Sequence, residues 1–308
     1  MLLKNYWAAG IALLSLTLTS CLNNVDPDAG KADENDATIK EYVTKNNLTD
    51  KAKPTTSGLY YYITAPVSNT AAKSPRLGEE VSFAYVLSLL NGQRVDSVTV
   101  TRPVQMPFGV GAVVPGLEEG LSLMKEGEKA TLLLPYYLAF GNADRKDSTG
   151  RVTVPAYTPV RFDVQLLRSR SEDQQIEDYL ATNPFGTNKV ERFASGLRLV
   201  RNSATPGAGD ALRGGQTVTV NYSGKLLRTG KEFDKNDKGT FRFTLNGNTI
   251  IPGFNEGILN MKKGEKATLL IPSTVAYGAQ GSYNSSTGVY VIPPYAVLRF
   301  DVEVVDVQ

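Results

Sequence analysis

Apolar and polar residues alternate in several short stretches of the chain. Thr217-Val218-Thr219-Val220-Asn221-Tyr222, Thr240-Phe241-Arg242-Phe243-Thr244-Leu245 and Val297-Leu298-Arg299-Phe300-Asp301-Val302-Glu303-Val304 run with period two and predict half-buried β-strands. Elsewhere the spacing is helical. Ile39, Tyr42 and Val43, and again Ile176, Tyr179 and Leu180, follow i, i+3, i+4 spacing and predict two short amphipathic helices. Phe254, Ile258 and Met261 share one face of a further short helix over Phe254 to Met261. Lys262-Lys263-Gly264-Glu265 predicts a turn into a strand from Ala267 to Ile271, and Asp234-Lys235-Asn236-Asp237 reads as a turn carrying solvated carboxylates.

The pattern occurs twice. Met124-Lys125-Glu126-Gly127-Glu128-Lys129-Ala130-Thr131-Leu132-Leu133-Leu134-Pro135 returns as Met261-Lys262-Lys263-Gly264-Glu265-Lys266-Ala267-Thr268-Leu269-Leu270-Ile271-Pro272. Pro115-Gly116-Leu117-Glu118-Glu119-Gly120 matches Pro252-Gly253-Phe254-Asn255-Glu256-Gly257, and Ser57-Gly58-Leu59 matches Ser195-Gly196-Leu197, each Ser-Gly-Leu opening a strand. Self-similarity at a constant offset marks a duplicated structural unit. The polar run Arg168-Ser169-Arg170-Ser171-Glu172-Asp173 joins the copies, so the units are 38–170 and 171–308, with the boundary near Ser171. Antiparallel strands around one short helix in each unit predict an α+β fold.

A chain of 308 residues is long enough for two such domains, each with its own core. Lys+Arg total 33 against Asp+Glu 31 with no basic stripe, which argues against a nucleic-acid partner. The chain has no histidine, which excludes Ser-His-Asp and Cys-His catalysis, His-containing zinc sites and haem on a proximal His. It has one cysteine, Cys21, so neither an intramolecular disulfide nor a thiolate cluster forms. No metal and no cofactor are expected, and the chemistry is left to carboxylates, aromatics, hydroxyls and backbone.

Residues 1–20 carry Lys4 and then an apolar run from Tyr6 to Leu18, the make-up of a signal peptide. The run ends in Leu18-Thr19-Ser20-Cys21, which resembles the lipobox of bacterial lipoproteins. The resemblance implies lipidation of Cys21 and a chain anchored to a bacterial membrane in the cell envelope, on the periplasm-facing side of the outer membrane. The alternative is a plain secretory signal or short anchor with a chance cysteine. Residues 21–37 are then expected to be a disordered tether, since Asn23 to Asp36 show no apolar periodicity.

Over Gly215 to Val307 the second unit carries Tyr222-Ser223-Gly224, Gly230-Lys231-Glu232-Phe233-Asp234, Ile250-Ile251-Pro252-Gly253-Phe254-Asn255-Glu256-Gly257, Ala276-Tyr277-Gly278, Ile292-Pro293-Pro294 and Phe300-Asp301-Val302-Glu303. In this order the motifs resemble the FKBP-type peptidyl-prolyl cis-trans isomerases. The resemblance implies an antiparallel sheet curled over a short helix, with an apolar cavity between them for proline-containing peptides. It assigns Asp234, Tyr277 and Phe233 to catalysis, Phe254 to the cavity floor, and Tyr222, Phe241, Phe243 and Phe300 to its walls. Ile250, Ile251 and Ile292 complete the substrate contacts, with the Ile251 N–H placed to bind a ligand carbonyl. The stretch from Gly278 to Val291 is longer than in compact members and overhangs the cavity there, bringing Tyr283 and Tyr290 into question as substrate contacts.

The first unit keeps Tyr85 for Tyr222 and Asp96 for Asp234. It substitutes Val95 for Phe233, Leu117 for Phe254, Val104 for Phe241, Met106 for Phe243 and Phe140 for Tyr277. It is expected to fold, since cores tolerate apolar swaps, but to lose the shaped cavity. The leading functional expectation is an isomerase acting on unfolded or exported proline-containing polypeptides, with its activity in the second unit. The rivals are a catalytically weak pair serving as a holding chaperone or as part of an envelope complex, and a purely structural lipoprotein.

Overall fold

A computed structural model describes residue 28 and residues 30–183, 185, 188–202 and 204–308. The signal peptide expected over residues 1–20 and the lipidated Cys21 lie outside the described residues. So does the tether expected over residues 21–37 at its positions up to 27 and at 29.

The rest of that tether is corrected, because helix α1 spans Lys31–Lys45. Its first turns lack apolar periodicity because a polar side chain anchors them. Buried Asn35 donates through Nδ2 to the Tyr157 carbonyl (2.9 Å), and its Oδ1 accepts from the Tyr136 N–H (3.0 Å). Ile39 and Val43 pack further along against Tyr60 and Leu133.

The first unit continues with β1 (Lys53–Pro54), β2 (Tyr60–Ala65), β3 (Glu80–Leu89), β4 (Arg94–Val98), β5 (Val104–Pro107), α2 (Pro115–Leu123), β6 (Lys129–Leu134), β7 (Arg145–Lys146), β8 (Val152–Val154) and β9 (Val160–Arg170). The second holds α3 (Glu172–Thr182), β10 (Val190–Arg192), β11 (Arg198–Arg201), β12 (Thr217–Leu226), β13 (Glu232–Thr244), α4 (Pro252–Leu259), β14 (Lys266–Ile271), β15 (Ser282–Asn284), β16 (Val289–Ile292) and β17 (Leu298–Val307). The main sheets follow one antiparallel plan, β1-β2-β6-β9-β3-β4 with β5 also on β3, and β10-β11-β14-β17-β12-β13.

Period-two burial is clean in the central strands. Val160, Phe162, Val164 and Leu166 of β9, and Leu298, Phe300, Val302 and Val304 of β17, point into the cores. The turn read over residues 234–237 and most of the strand read over residues 240–245 belong to one long strand, β13. Its pairing with β12 jumps from Tyr222↔Asn236 to Val220↔Phe241, so residues 237–240 bulge out. Asp234 thus sits on a strand opposite Gly224 rather than in a turn.

α2 and α4 each start with Pro at N1, where the missing N–H has no intrahelical partner to lose. Each lies against the concave face of its sheet at a distance set by glycine. A Cβ on Gly257 would come within 2.5 Å of Leu269 Cδ1, and Gly253, Gly116 and Gly120 meet Ile271, Leu134 and Leu132 in the same way. The outer helices α1 and α3 cover the opposite face. They are tied down by parallel polar chains, Tyr42–Arg161–Asp163–Thr131 and Tyr179–Arg299–Asp301–Thr268. Ser171, in the polar join between β9 and α3, caps α3 in a reciprocal capping box with Gln174.

Because the α4–β14 spacing admits no methyl group, Gly257→Ala is expected to destabilise the protein by about 1–3 kcal/mol, despite alanine's better helix propensity. A urea midpoint that is unchanged or raised would show that α4 has room to move.

Candidate active site

In the second unit, α4 and the concave face of the sheet enclose a cavity of about 530 Å³. Its floor is Phe254 in the first turn of α4, only 3% exposed. Phe300 on β17 meets Phe254 edge-on at 5.0 Å and Phe233 on β13 at 5.6 Å. Tyr222 on β12 meets Phe241 at 5.1 Å and both Phe254 and Phe300 at 5.9 Å. These contacts lie in the range where edge-to-face packing adds to area burial.

One backbone position makes the wall possible. A Cβ on Gly224 would fall 2.7 Å from the Phe300 ring and 2.8 Å from the Phe233 ring. The two rings meet there only because glycine presents no side chain.

The polar edge is built from Asp234 and two tyrosines. The Tyr222 hydroxyl donates to Asp234 Oδ2 at 2.7 Å. Burial, helped by that hydrogen bond and by the Asp234 charge, pushes the Tyr222 hydroxyl well above the usual tyrosine range. Tyr277 follows the short turn Ser273–Val275 and is also pushed up, by burial and then by the Asp234 charge. Both phenols therefore stay protonated, as donors, throughout the physiological range. Ile250 and Ile251 line the entrance, and Ile251 is the N-cap of α4. Among the described residues no acceptor reaches the Ile251 N–H, so it remains an open donor at the cavity.

The structure thus gathers Tyr222, Phe233, Asp234, Phe241, Ile250, Ile251, Phe254, Tyr277 and Phe300 around one space. Two expected wall residues do not reach it. Phe243 is buried behind Phe241 and Phe254, and Ile292 is buried in the core. Both face the interior like the wall residues, and neither lines the cavity. The stretch after Gly278 forms a hairpin of β15 and β16. Tyr283 and Tyr290 pair edge-on at 5.1 Å there and stay exposed, outside the cavity lining.

The sequence reading missed Asn248, Thr249 and Pro252 at the mouth. The available signal was the Asn246-Gly247-Asn248 run. Asn246 and Asn248 both take left-handed backbone, which asparagine tolerates, and Asn255 of α4 clamps Asn246 by two hydrogen bonds.

The first unit keeps the polar pair and replaces most of the aromatic wall with aliphatic side chains. Tyr85 donates to Asp96 at 2.6 Å, and burial together with that bond pushes its hydroxyl up to about 12. Leu87, buried, holds the register position of Gly224, opposite Phe162 and Asp96 as Gly224 is opposite Phe300 and Asp234. Its side chain occupies room that Val95 leaves where the second unit has Phe233. Phe83, fully buried, stands where the second unit has Val220. Phe140, in place of Tyr277, is covered by the Arg145 guanidinium at 4.8 Å.

Comparison with known proteins places these observations in a family. The model of the FKBP-type peptidyl-prolyl cis-trans isomerase family matches residues 71–167 and 209–305. Human peptidyl-prolyl cis-trans isomerase FKBP9 is 31% identical over 235 residues, covering 75% of this chain and 35% of that protein. FkpA, the FKBP-type isomerase of Escherichia coli K12, is 37% identical over 151 residues, 46% of this chain and 52% of that one. The chain therefore spans between a third and about half of the length of these relatives. Among solved structures, the three FKBP domains of wheat FKBP73 align at 23% identity and a TM-score of 0.39, over 82% of this chain and 96% of that one. The crystal structure of E. coli FkpA aligns at 28% and 0.36, over 45% and 61%.

A raised phenol pKa means that the folded state holds its proton more tightly than the unfolded chain. The stabilisation is complete below the unfolded value of about 10 and is lost as pH rises through the folded value. In a spectrophotometric titration, Tyr85→Phe is expected to remove a group ionising near pH 12. Tyr222→Phe is expected to remove one ionising well above the usual tyrosine range. Neither change should alter the tyrosinate absorbance gained between about pH 9 and 11, and a loss in that window would show that the two hydroxyls are not shielded.

Proposed function

The chain belongs to the FKBP-type peptidyl-prolyl cis-trans isomerase family, and from that premise we propose that its second unit is the isomerase and its first a non-catalytic companion. One contrast carries the reading. The second unit holds an aromatic cavity with protonated donors at its edge, whereas the first has Leu87 for Gly224, Leu117 for Phe254 and Val95 for Phe233.

The chemistry fits what the cavity offers. Rotation about an X–Pro amide faces a barrier of roughly 18–20 kcal/mol because the planar amide is stabilised by resonance. Halfway through rotation that resonance is lost and the carbonyl is less polar, so a dry aromatic surface favours the twisted amide over the planar one. No nucleophile or metal is required. The prolyl ring seats on Phe254 between Phe300 and Tyr222, and the Ile251 N–H and Tyr277 hydroxyl donate to peptide carbonyls on either side. Asp234, held by Tyr222, accepts from the peptide with its remaining oxygen and fixes the chain's direction. Each ~1.4 kcal/mol by which this surface prefers the twisted over the planar amide is worth a factor of about ten in rate.

The substrates in this reading are exported cell-envelope polypeptides whose folding waits on proline. The site of action rests on the leader and on Leu18-Thr19-Ser20-Cys21, which would place a lipid on Cys21 and anchor the chain to a bacterial membrane. A second reading, a holding chaperone, draws on the exposed aromatic pair of the β15–β16 hairpin, Tyr283 and Tyr290, and on neighbouring Val289. Either reading predicts binding of unfolded chains, and only the first predicts turnover.

The chain from Leu22 onward is expected to accelerate cis–trans exchange of a proline-containing peptide. Asp234→Ala with Tyr277→Phe should lower kcat/KM at least about tenfold, a loss of ~1.4 kcal/mol in the transition state. Gly224→Leu, which gives the second unit the first unit's residue, should close the cavity and abolish turnover, whereas Asp96→Ala should leave it unchanged. A folded wild-type chain without acceleration leaves the chaperone reading in its place. Separately, cells expressing the full chain should incorporate labelled palmitate into it, and Cys21→Ser should remove the label. A label that survives the substitution excludes Cys21 as the anchor.

A further inference from the structure

Asp234 and Tyr277 at the cavity edge sit on segments whose far ends press on the first unit. Arg228 lies in the turn between β12 and β13. Its Nη1 donates to the Gln105 carbonyl on β5 (2.5 Å), and its Nε lies 3.6 Å from Glu80 Oε2 on β3. Glu80 is 5% exposed. Its other oxygen is taken by Arg170, which also donates to Asp178 of α3 at 2.9 Å. Oε2 accepts no hydrogen bond. Among the described residues the Arg228 guanidinium is the charge that faces it.

The turn transmits this contact. The Leu226 N–H donates to the Lys231 carbonyl and the Gly230 N–H to the Leu226 carbonyl, so the turn is closed at both levels. The ladder then runs through Lys225↔Glu232 to Gly224↔Asp234, with Phe233 between on the cavity wall. A second strut reaches Tyr277. The Tyr295 ring lies on Gly78 of the first unit, where a Cβ would fall 2.6 Å from the ring, and the Tyr295 N–H donates to the Gly278 carbonyl beside Tyr277. The corresponding turn of the first unit, Leu89 to Gln93, carries Asn91-Gly92 and no arginine.

We infer that the first unit braces the cavity of the second, and that Arg228 is a positioning residue that holds the Phe233–Asp234 strand through Glu80 and Gln105. This gives a unit with a filled cavity a part in the reaction: it fixes the outer wall of its neighbour's site. A site held loosely binds the planar substrate less well before it loses transition-state preference, so the effect falls mainly on KM. The link to turnover rests on the cavity being the isomerase site, while the bracing itself does not.

The test uses the chain from Leu22 onward with Arg228→Ala, Glu80→Gln and both changes together. Hydrogen–deuterium exchange is expected to rise in residues 226–236 for Arg228→Ala and to stay unchanged in the equivalent first-unit segment, residues 89–98. KM for the proline peptide should rise by between about twofold and thirtyfold, the range seen along coupled networks, with kcat nearly constant. The double variant should fall short of the sum of the two single changes, since each single change already breaks the Arg228–Glu80 contact. Unchanged exchange at 226–236 overturns the brace. Raised exchange with wild-type KM and kcat overturns the positioning role, as does full additivity of the two changes. A wild-type chain without activity counts against the isomerase reading instead, and the exchange data then decide the brace by themselves.

Discussion

Phe233 and Phe300 meet over a backbone position that carries no side chain, and the character of each unit follows from what stands at that position. Gly224 leaves a gap in the pleat of β12 that the two rings close, and Phe300 rests in turn on Phe254 at the cavity floor. A leucine at the same register position in the first unit fills that gap from within. Interiors pack to crystal-like density, so a cavity survives only where large rings prop each other open. Tyr222 contributes twice, as a prop against Phe241, Phe254 and Phe300 and as the donor that fixes Asp234.

The frame around this space is the same in both units and is independent of whether the cavity is open. Glycines seat α2 and α4 on β6 and β14, and the outer helices are tied by matching Tyr–Arg–Asp–Thr chains. Ser57 and Ser195, at the start of the matching Ser-Gly-Leu turns, donate to Glu119 and Glu256 of the inner helices. Half-exposed ion pairs contribute little on their own, about 0–1 kcal/mol. The worth of these chains lies in satisfying polar groups where a helix covers a sheet and so fixing its register. A fold held this way tolerates loss of the aromatic walls, which is what the first unit displays.

Among the described residues, contact between the units includes Arg228 on Glu80 and Gln105, Arg168 and Arg170 on Asp178, and the Tyr295 ring on Gly78. Breaking a partly buried ion pair by removing one partner costs more than the pair contributes, because a charge is left behind unpaired. Glu80, held between Arg170 and Arg228, is such a case. Arg170 ends the last strand of one unit and also pairs with α3 of the next, so the junction is stiffened where the chain crosses it.

Much of this was legible in the amino-acid order because it depends on local periodicity and repetition. The duplication, the central strands and the short inner helices follow from patterns that sit on one strand or one turn of helix, and nine of the eleven site residues that the family resemblance assigned to the second unit line the cavity. What the order could not show was decided by neighbours distant in the chain. Phe243 and Ile292 carry the same apolar signal as the wall residues, and only tertiary packing, which sets Phe243 against Phe241 and Phe254 and buries Ile292 in the core, keeps them from the cavity. Asn35 anchors α1 through residues more than a hundred positions away, so its polar surroundings looked like tether. The sequence by itself determined which elements form and which faces are apolar, since side-chain direction alternates with fixed periods along strand and helix. Whether an apolar face encloses a cavity or a filled core, as at Gly224 and Leu87, was decided only when four separate segments brought their volumes to one place.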